Sequence, residues 1–550
     1  MQRNSLKCTT RRLLSCKRCY SSVPLPLLHP PSTPPRPGYL PPTKQFGQPL
    51  PSTHPHLLSQ GELTPGIQAN EYEQRRRKLM QTLEDGSLVV IAGGRIQYMS
   101  QNIFYKFRQR SNLWYLTGWE EPDSVLVLQK TSTSRGYKMT MFVRPKDPYD
   151  ESWNGPRSGT DGVCQVFGAD DACDIAWFSG RLEDLISKTK GPIYIDLPNV
   201  SASSLSSRRT TTSRQSTSSV SSVVPKSLFD YFSLPSATTV NSKPQDDIDG
   251  ILNQLRKKDV RNAAREVERL RLIKSRAEVM VMKRAADISS QAHSDVMRLC
   301  GTASSSTKRN LTENSLVSKF EYTTSSLGSP RPAYVPVCAS GENALTIHYI
   351  ANNQPLKQGD MVMLDAGCEF GGYASDITRT FPVSGRFSSA QKALYSSVLR
   401  IHRKLLSICS NPSKSHSLTL EQLHRISVDL TRDELRDLGF GNLKGGDLER
   451  VLYPHFVSHP LGIDLHDTMS FGRDEKLKPG MVITIEPGLY VPPLSHFPKE
   501  FHNLSVRIED EILIGQTEQE SLILSANAPK EVEDVEATCQ GMLEKAAIAT

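Results

Sequence analysis

The segment "LDAGCEFGGYASDITRTFP", residues 364–382, places two aspartates on either side of a pair of glycines. If the glycines form the two-residue turn of a hairpin, Asp365 faces Thr378 across two paired strands. Asp376 then lies diagonally across from Asp365 on the same face of the hairpin. Two carboxylates about 5–8 Å apart among apolar side chains repel each other unless a positive charge lies between them. The segment therefore predicts a cation site, and a divalent metal ion is its simplest occupant.

A surface hairpin with two solvated acids is the alternative. The residues around the first aspartate, "MVMLDAGC" at 361–368, are too apolar for an exposed strand. The sequence thus favours a buried pair of carboxylates.

Three downstream segments supply further metal-binding residue types. They are "PHFVSHPLGIDLHD" (454–467) with three histidines, "MVITIEPGLY" (481–490), which ends an apolar strand on a glutamate, and "LSVRIEDEILI" (504–514), which alternates apolar and charged residues. Each segment alone is a weak signal, because a single histidine is more often part of a core. An alternating charged strand is likewise more often the wet edge of a sheet.

Together, the four segments resemble in order and spacing the metallopeptidase family that has the creatinase and methionine aminopeptidase "pita-bread" fold. Two upstream segments, "FRQRSNLWYLTGWEEPDSVLVL" (107–128) and "WNGPRSG" (153–159), are similar to the amino-terminal domain of aminopeptidase P. In particular, the chain resembles aminopeptidase P of the mitochondrial branch, the intermediate-cleaving type. The resemblance covers residues 65–200 and 245–525. It implies an α/β amino-terminal domain followed by an α+β pita-bread catalytic domain.

The resemblance also implies roles for particular residues of these segments and for His348, in "NALTIHYIANN" at 343–353. The implied ligands of two metal ions are Asp365, Asp376, His459, Glu486 and Glu509, with Asp376 and Glu509 bridging both ions. Glu486 would also accept a proton from the attacking water. His348 and His466 match histidines that hydrogen-bond the substrate, whereas His455 and Arg507 match positions that line the pocket after the scissile bond.

The cofactor implied by the family is a pair of divalent ions, usually manganese. Mixed carboxylate and imidazole ligands suit manganese, cobalt, iron or zinc better than magnesium. Residues 456 and 457 are Phe and Val, where bacterial aminopeptidase P tends to have a glycine. This departure bears on the shape of the pocket and puts a strict Xaa-Pro preference in doubt.

The net positive charge of the chain comes entirely from its first 61 residues. Residues 1–61 contain eight Lys and Arg and no acid, whereas residues 62–550 contain 58 basic and 58 acidic side chains. The neutral remainder predicts no nucleic-acid partner, and no apolar run is long enough for a membrane-spanning helix. An Arg- and Ser-rich, acid-free leader ending in "KRCYSS" (17–22) is typical of a mitochondrial presequence cut before Ser21. A disordered basic tail is the alternative.

Composition divides the rest of the chain. The predicted segments are the presequence at 1–20, a Pro-rich linker at 21–63, the amino-terminal domain at 64–199, a Ser-rich linker or insertion at 200–247, the catalytic domain at 248–525 and an acidic tail at 526–550. A charged helix is expected from residue 259 to about 300. Ten scattered cysteines suit a reducing compartment.

The sequence as a whole predicts a dinuclear metal-dependent aminopeptidase. It would remove one residue from peptides, or from imported proteins after presequence cleavage, in the mitochondrial matrix or at the matrix face of the inner membrane. A strict Xaa-Pro aminopeptidase for small peptides and, more remotely, a non-catalytic pita-bread binding module are the alternatives. The sequence is compatible with a homo-oligomer and does not specify the oligomeric state.

Overall fold

The computed structural model describes residues 46–197, 251, 254–306 and 311–542. The predicted presequence, the whole Ser-rich segment at 200–247 and the last eight residues lie outside this part of the chain. The predicted division of the chain between residues 199 and 248 therefore stays a prediction. Among the described residues, every helix is too short or too polar to span a bilayer.

The amino-terminal half is built on a mixed six-stranded sheet. Its strands, in spatial order, are Val260–Asn262, Ile193–Asp196, Leu88–Ala92, Val125–Lys130, Tyr137–Val143 and Asp171–Asp174. Alternate residues of Leu88–Ala92 join different apolar clusters, Val89 and Ile91 on one face and Leu88 and Val90 on the other. The strand is therefore buried on both sides, as its unbroken apolar run predicts.

Helices cover this sheet. They are Ala69–Thr82, Ser111–Thr117, Gly159–Val166 and Phe178–Lys188, whereas Pro148–Asn154 has no buried side chain. Small paired strands, Glu62–Thr64 with Ile67–Gln68 and Tyr98–Ser100 with Ile103–Phe104, lie beside them. Residues 46–63, predicted as the end of an extended linker, include Leu50 and Leu58, which are buried.

The catalytic half consists of small antiparallel sheets surrounded by helices. Its strands are Val337–Ser340, Met361–Asp365 and Thr378–Pro382; Arg331–Pro332, Cys368–Phe370 and Tyr373–Ala374; Val482–Ile485, Asp510–Leu513 and Leu522–Ile523; and Gly488–Val491 with Leu504–Arg507. Its helices are Ala263–Arg271, Arg276–Ser306, Glu313–Ser326, Ser389–Ser410, Pro412–Ser415, Leu420–Asp437 and Val532–Cys539.

The single helix predicted from residue 259 to about 300 is wrong in its boundaries. Residues 260–262 form a strand that pairs in parallel with Ile193–Asp196. Two helices follow, Ala263–Arg271 and Arg276–Ser306, and the break leaves Ile273 exposed. A polar three-residue edge strand has too few apolar positions to show a period of two.

The helix Val532–Cys539, in the predicted acidic tail, packs against the catalytic core. Val532, Val535 and Cys539 are buried in the same apolar cluster as the strands of the catalytic half. This segment is therefore part of the folded domain, although its exposed residues are acidic.

The glycine hairpin has the register expected from its sequence. Phe370 faces Tyr373 and Asp365 faces Thr378. Gly371 and Gly372 have φ angles of 53° and 82°, which a two-residue turn of this type requires. A Cβ on Gly372 would lie 2.4 Å from the indole of Trp114, so the turn also needs glycine in order to contact the amino-terminal domain.

Candidate metal centre

The hairpin brings Asp365 and Asp376 together around one tyrosine. The hydroxyl of Tyr334 lies 2.5 Å from Oδ1 of Asp365 and 2.8 Å from Oδ1 of Asp376. One hydroxyl proton cannot serve both oxygens. Without a cation, the second contact therefore needs a proton on a carboxyl group.

Backbone hydrogen bonds between the segment 457–460 and the end of the strand Val482–Ile485 bring His459 and Glu486 to the same place. The backbone amide of Glu486 donates to Val457, and that of Thr484 donates to His459. Nε2 of His459 then lies 3.3 Å from Oδ2 of Asp376 and 3.7 Å from Oε1 of Glu486. Nδ1 of His459 lies 3.0 Å from the carbonyl of Pro460, which fixes its proton there and turns Nε2 toward the carboxylates.

The alternating segment 504–514, which forms two short strands on either side of residues 508 and 509, contributes Glu509 and Arg507. Thr378 donates a 2.7 Å hydrogen bond to Oε2 of Glu509, and Arg507 donates one of the same length to Oδ2 of Asp365. Arg507 is 1% exposed and Glu509 2%. An alternating charged strand usually lies at a solvated edge of a sheet. Here that expectation is wrong, because Arg507 and Glu509 point toward the cluster of carboxylates and His459.

Negative charge exceeds positive charge at this centre. Burial, with repulsion from Asp376 and against the attraction of His459, raises the pKa of Glu486 to about 7. Burial and repulsion from Asp376 and Glu486 raise the pKa of Glu509 well above its usual range. Burial also raises the pKa of Asp365, although Arg507 opposes the shift. These carboxyl groups need additional positive charge to ionise together.

The donor set fits divalent cations. Asp376, His459 and Glu509 each offer an atom, and these three atoms lie within 4.8 Å of one another. Asp376 lies at the middle of this set. Its Oδ1 shares the hydroxyl of Tyr334 with Asp365, and its Oδ2 contacts Nε2 of His459. Carboxylate oxygens with one imidazole suit a first-row transition metal.

Binding of a divalent cation should release protons near neutral pH. In the metal-free protein the pKa of Glu486 is about 7, and that of Glu509 is well above its usual range. Burial disfavours charge on His459, but the hydrogen bond to Asp376 and the charge of Glu486 outweigh it and raise the pKa to about 9. A cation displaces these protons, so we expect affinity for manganese to rise between pH 6 and 8. Calorimetry in buffers of different ionisation enthalpy measures the release, and a binding heat that does not depend on the buffer would contradict it.

His455 belongs to a hydrogen-bond chain beside the centre. Arg507 donates to the hydroxyl of Tyr490 at 2.6 Å, and Nε2 of His455 lies 3.0 Å from that hydroxyl. Nδ1 of His455 lies 2.9 Å from the carbonyl of Phe456. Burial and the charge of Arg507 lower the pKa of His455 to about 3, so the ring is neutral and accepts from Tyr490.

His466 and His348 lie at the exposed side of the centre. The ring of His466 is 4.4 Å from that of His459. His348 is exposed on a loop close enough for its charge to act on both His455 and His466. The structure thus brings all of the sequence-predicted site residues to one region.

A buried network fixes the segment that carries His466. Asp467 accepts from Lys274 at 3.0 Å and pairs with Arg271. Arg271 also donates to Asn112 of the amino-terminal domain at 2.7 Å. The amino-terminal domain therefore helps to hold this edge of the site.

Sequence reasoning missed Tyr334, Thr378, Tyr490 and Glu511. Glu511 accepts a 2.7 Å hydrogen bond from the backbone amide of Asp376 and is fully buried. Its place on the charged face of the alternating strand was the available signal. Tyr334 lies in no motif or periodic pattern of the sequence. Only its contacts with Asp365 and Asp376 in the folded protein identify it as part of the site.

The comparisons with known proteins agree with this geometry. Residues 281–516 match the sequence profile of metallopeptidase family M24, and residues 72–194 match that of the aminopeptidase P N-terminal domain. Intermediate cleaving peptidase 55 of Saccharomyces cerevisiae is 38% identical over 500 residues, which is 91% of this chain and 89% of the relative. The chain belongs to the M24 metallopeptidase family.

Other M24 proteins are similarly close. Human Xaa-Pro aminopeptidase 3 is 38% identical over 513 residues, covering 90% of this chain and 91% of that protein. A crystal structure of yeast intermediate cleaving peptidase 55 matches with a TM-score of 0.72 and 35% identity, covering 88% of this chain and all of that one. These matches confirm the predicted fold, an aminopeptidase P amino-terminal domain followed by a pita-bread catalytic domain. The protein is a metallo-aminopeptidase, and divalent metal ions are the cofactor of its family.

Proposed function

We propose that this M24 enzyme removes a single residue from free amino termini with two divalent ions, manganese being the expected metal. Asp365, Asp376, His459, Glu486 and Glu509 are the proposed ligands. The convergence of three other carboxylates and one imidazole around Asp376 is the observation that supports this assignment. Asp376 and Glu509, which are both buried, would contribute to holding both ions, as the family resemblance implies.

The proposed chemistry assigns each side chain one task. When bound, the divalent ions supply a Lewis acid for the scissile carbonyl and lower the pKa of water at the site. Glu486 accepts the proton of the attacking water and delivers it to the leaving amine. One of its oxygens faces His459 and the other lies 3.7 Å from Nδ1 of His455, which leaves the carboxylate between the ligand side and the substrate side.

The proposed substrate contacts come from the surrounding histidines and Arg507. His348 and His466 donate hydrogen bonds to the substrate or to the oxyanion that develops during attack. His455 faces the residue after the scissile bond, held by Tyr490 and Arg507.

The residues after His455 are engaged in packing of their own. Phe456 stacks on His424 at 4.3 Å and lies under the guanidinium of Arg473, and Val457 is buried in the core. These contacts hold Phe456 and Val457 in place next to His455, at positions where bacterial aminopeptidase P tends to have a glycine. We propose that the pocket accepts residues other than proline in second place and bulky first residues such as Tyr or Leu.

The proposed location is the mitochondrion, in the matrix or at the matrix face of the inner membrane. The acid-free leader supports it, as does a 34% identical relative in Arabidopsis thaliana named mitochondrial intermediate cleaving peptidase 55. Substrates would then be imported proteins whose first presequence cut leaves one bulky residue. A strict Xaa-Pro aminopeptidase is the second candidate, because the human relative with that name is equally similar.

Comparison of the amino termini of mitochondrial proteins with and without this enzyme tests the proposal. We expect a set of proteins to keep one additional amino-terminal residue when the enzyme is absent. A Glu486→Gln variant, which we expect to be inactive, is the control. It shows whether an effect on the amino termini needs the activity of the enzyme or only the presence of the protein. Unchanged termini, or changes of two or more residues, would contradict single-residue trimming of imported proteins.

A further inference from the structure

The loop that carries His348 has little regular structure to hold it. It leaves the strand Val337–Ser340, makes a short 3-10 helix at Gly341–Leu345, and continues without a helix or strand to Gln354. His348 lies exposed at its far side. A segment of this kind needs contacts with the body of the protein if one side chain is to keep one position.

One buried carboxylate makes those contacts. Oε1 of Glu313 accepts from the amide of Ser340 at 2.8 Å, from its hydroxyl at 2.9 Å and from the side-chain amide of Asn343 at 2.9 Å. Oε2 accepts from the hydroxyl of Tyr349 at 2.9 Å and from the amide of Gln354 at 3.0 Å. Glu313 thus joins the first residue of the loop, the last residue and the neighbour of His348.

The surroundings of Glu313 favour the ionised carboxylate. It is the first residue of the helix Glu313–Ser326, whose capping box is formed by Thr312 and Ser315, and the positive end of a helix stabilises an anion. Burial acts to raise the pKa of Glu313, but the donors from Gln354, Asn343 and Ser340 outweigh it and bring the pKa below its usual value. All five donors therefore face a full negative charge, which strengthens each hydrogen bond.

We infer that Glu313 is a positioning residue that fixes the 340–354 loop and thereby places His348 against the substrate. The inference rests on the proposed role of His348. Glu313 itself is fully buried within the fold, so its effect on the reaction passes through the loop. An error of about 1 Å in the position of a group that contacts the substrate can cost about 100-fold in rate.

The first test is Glu313→Gln, which keeps the shape of the side chain but replaces one accepting oxygen with a donor. We expect kcat to fall about 10- to 100-fold, with KM within about 3-fold and the metal content per chain unchanged. Glu321→Gln lies on the same helix but is exposed, and it should keep the wild-type kcat. A wild-type kcat for a folded Glu313→Gln protein would overturn the inference.

A double-mutant cycle with His348→Ala separates positioning from general structural damage. If Glu313 acts through His348, the double variant should be no slower than His348→Ala alone. Fully additive losses would overturn the inference while leaving the role of His348 intact. A wild-type kcat for His348→Ala would remove both the role of His348 and the inference that depends on it.

Tyr349→Phe covers the case in which Glu313→Gln does not fold, because it removes only one of the five donors. We expect kcat to fall about 2- to 5-fold, as the loss of one hydrogen bond to a charged group would allow. That loss should disappear in the His348→Ala background. A wild-type kcat for Tyr349→Phe, or a loss that persists without His348, would contradict positioning of the loop by Glu313.

Discussion

Asp376→Ala and Glu509→Ala are expected to abolish peptide cleavage without unfolding the protein. Each removes a carboxylate at the centre of the donor cluster, where Asp376 faces both Asp365 and His459. We expect kcat to fall by about 10⁴-fold or more, equivalent to about 5–6 kcal/mol of transition-state stabilisation. Turnover of a peptide with a free amino terminus, measured at saturating manganese, gives this number.

The stability of the metal-free variants should not fall. Burial and repulsion from Asp376 raise the pKa of Glu509 in the metal-free protein, so either substitution removes the repulsion between these two acids. We expect the metal-free variants to unfold at the same temperature as the metal-free wild type, or above it. Glu533→Ala, which removes an exposed acid, is the matched control and should leave activity unchanged. Substantial turnover by Asp376→Ala or Glu509→Ala would contradict the proposed ligand set.

Blocking the amino terminus of a substrate is expected to slow cleavage by about 10³-fold or more. The proposed ligands come from separate segments between residues 365 and 509, and we expect these segments to form a pocket that admits a chain end more easily than a loop. The proposed substrate docks with its free amine beside the metal ligands, and acetylation removes the charge of the amine and adds bulk at that place. Sites built to bind one polar substrate group discriminate by factors of about 10⁴ against analogues that lack it.

Peptides that differ in their first two residues, each with a free and an acetylated amino terminus, provide the measurement. The manganese-loaded enzyme should release one amino acid from the free peptides only, and mass spectrometry identifies the products. Release of dipeptides or cleavage of the acetylated peptides would contradict the single-residue exopeptidase. Activity confined to peptides with proline in second place would contradict only the relaxed specificity and favour the Xaa-Pro alternative.

The hairpin shows how much of the site the sequence could predict. Its register follows from two adjacent glycines, since a two-residue turn fixes every later pair, and Asp365 indeed faces Thr378. The histidine and glutamate segments were weak signals one at a time. These segments were recognised as parts of one metal site only because their order and spacing resemble those of the family.

Local sequence could not show which charged faces are buried. Arg507, Glu509 and Glu511 alternate with apolar residues as they would on an exposed edge strand, yet all three are buried. Their burial depends on the strands that pack over them, which a period of two does not report. Tyr334 and Glu313 were missed for the same reason, because their partners lie 27 to 42 residues away in the chain.

Counting the metal ions on active chains tests the central claim most directly. We expect anomalous diffraction from crystals of the manganese-loaded enzyme to show two ions among Asp365, Asp376, His459, Glu486 and Glu509. Titration of manganese into metal-free protein should restore full activity only after two ions have bound per chain. Full activity with a single ion or with none, or ions bound away from these five residues, would contradict the dinuclear account.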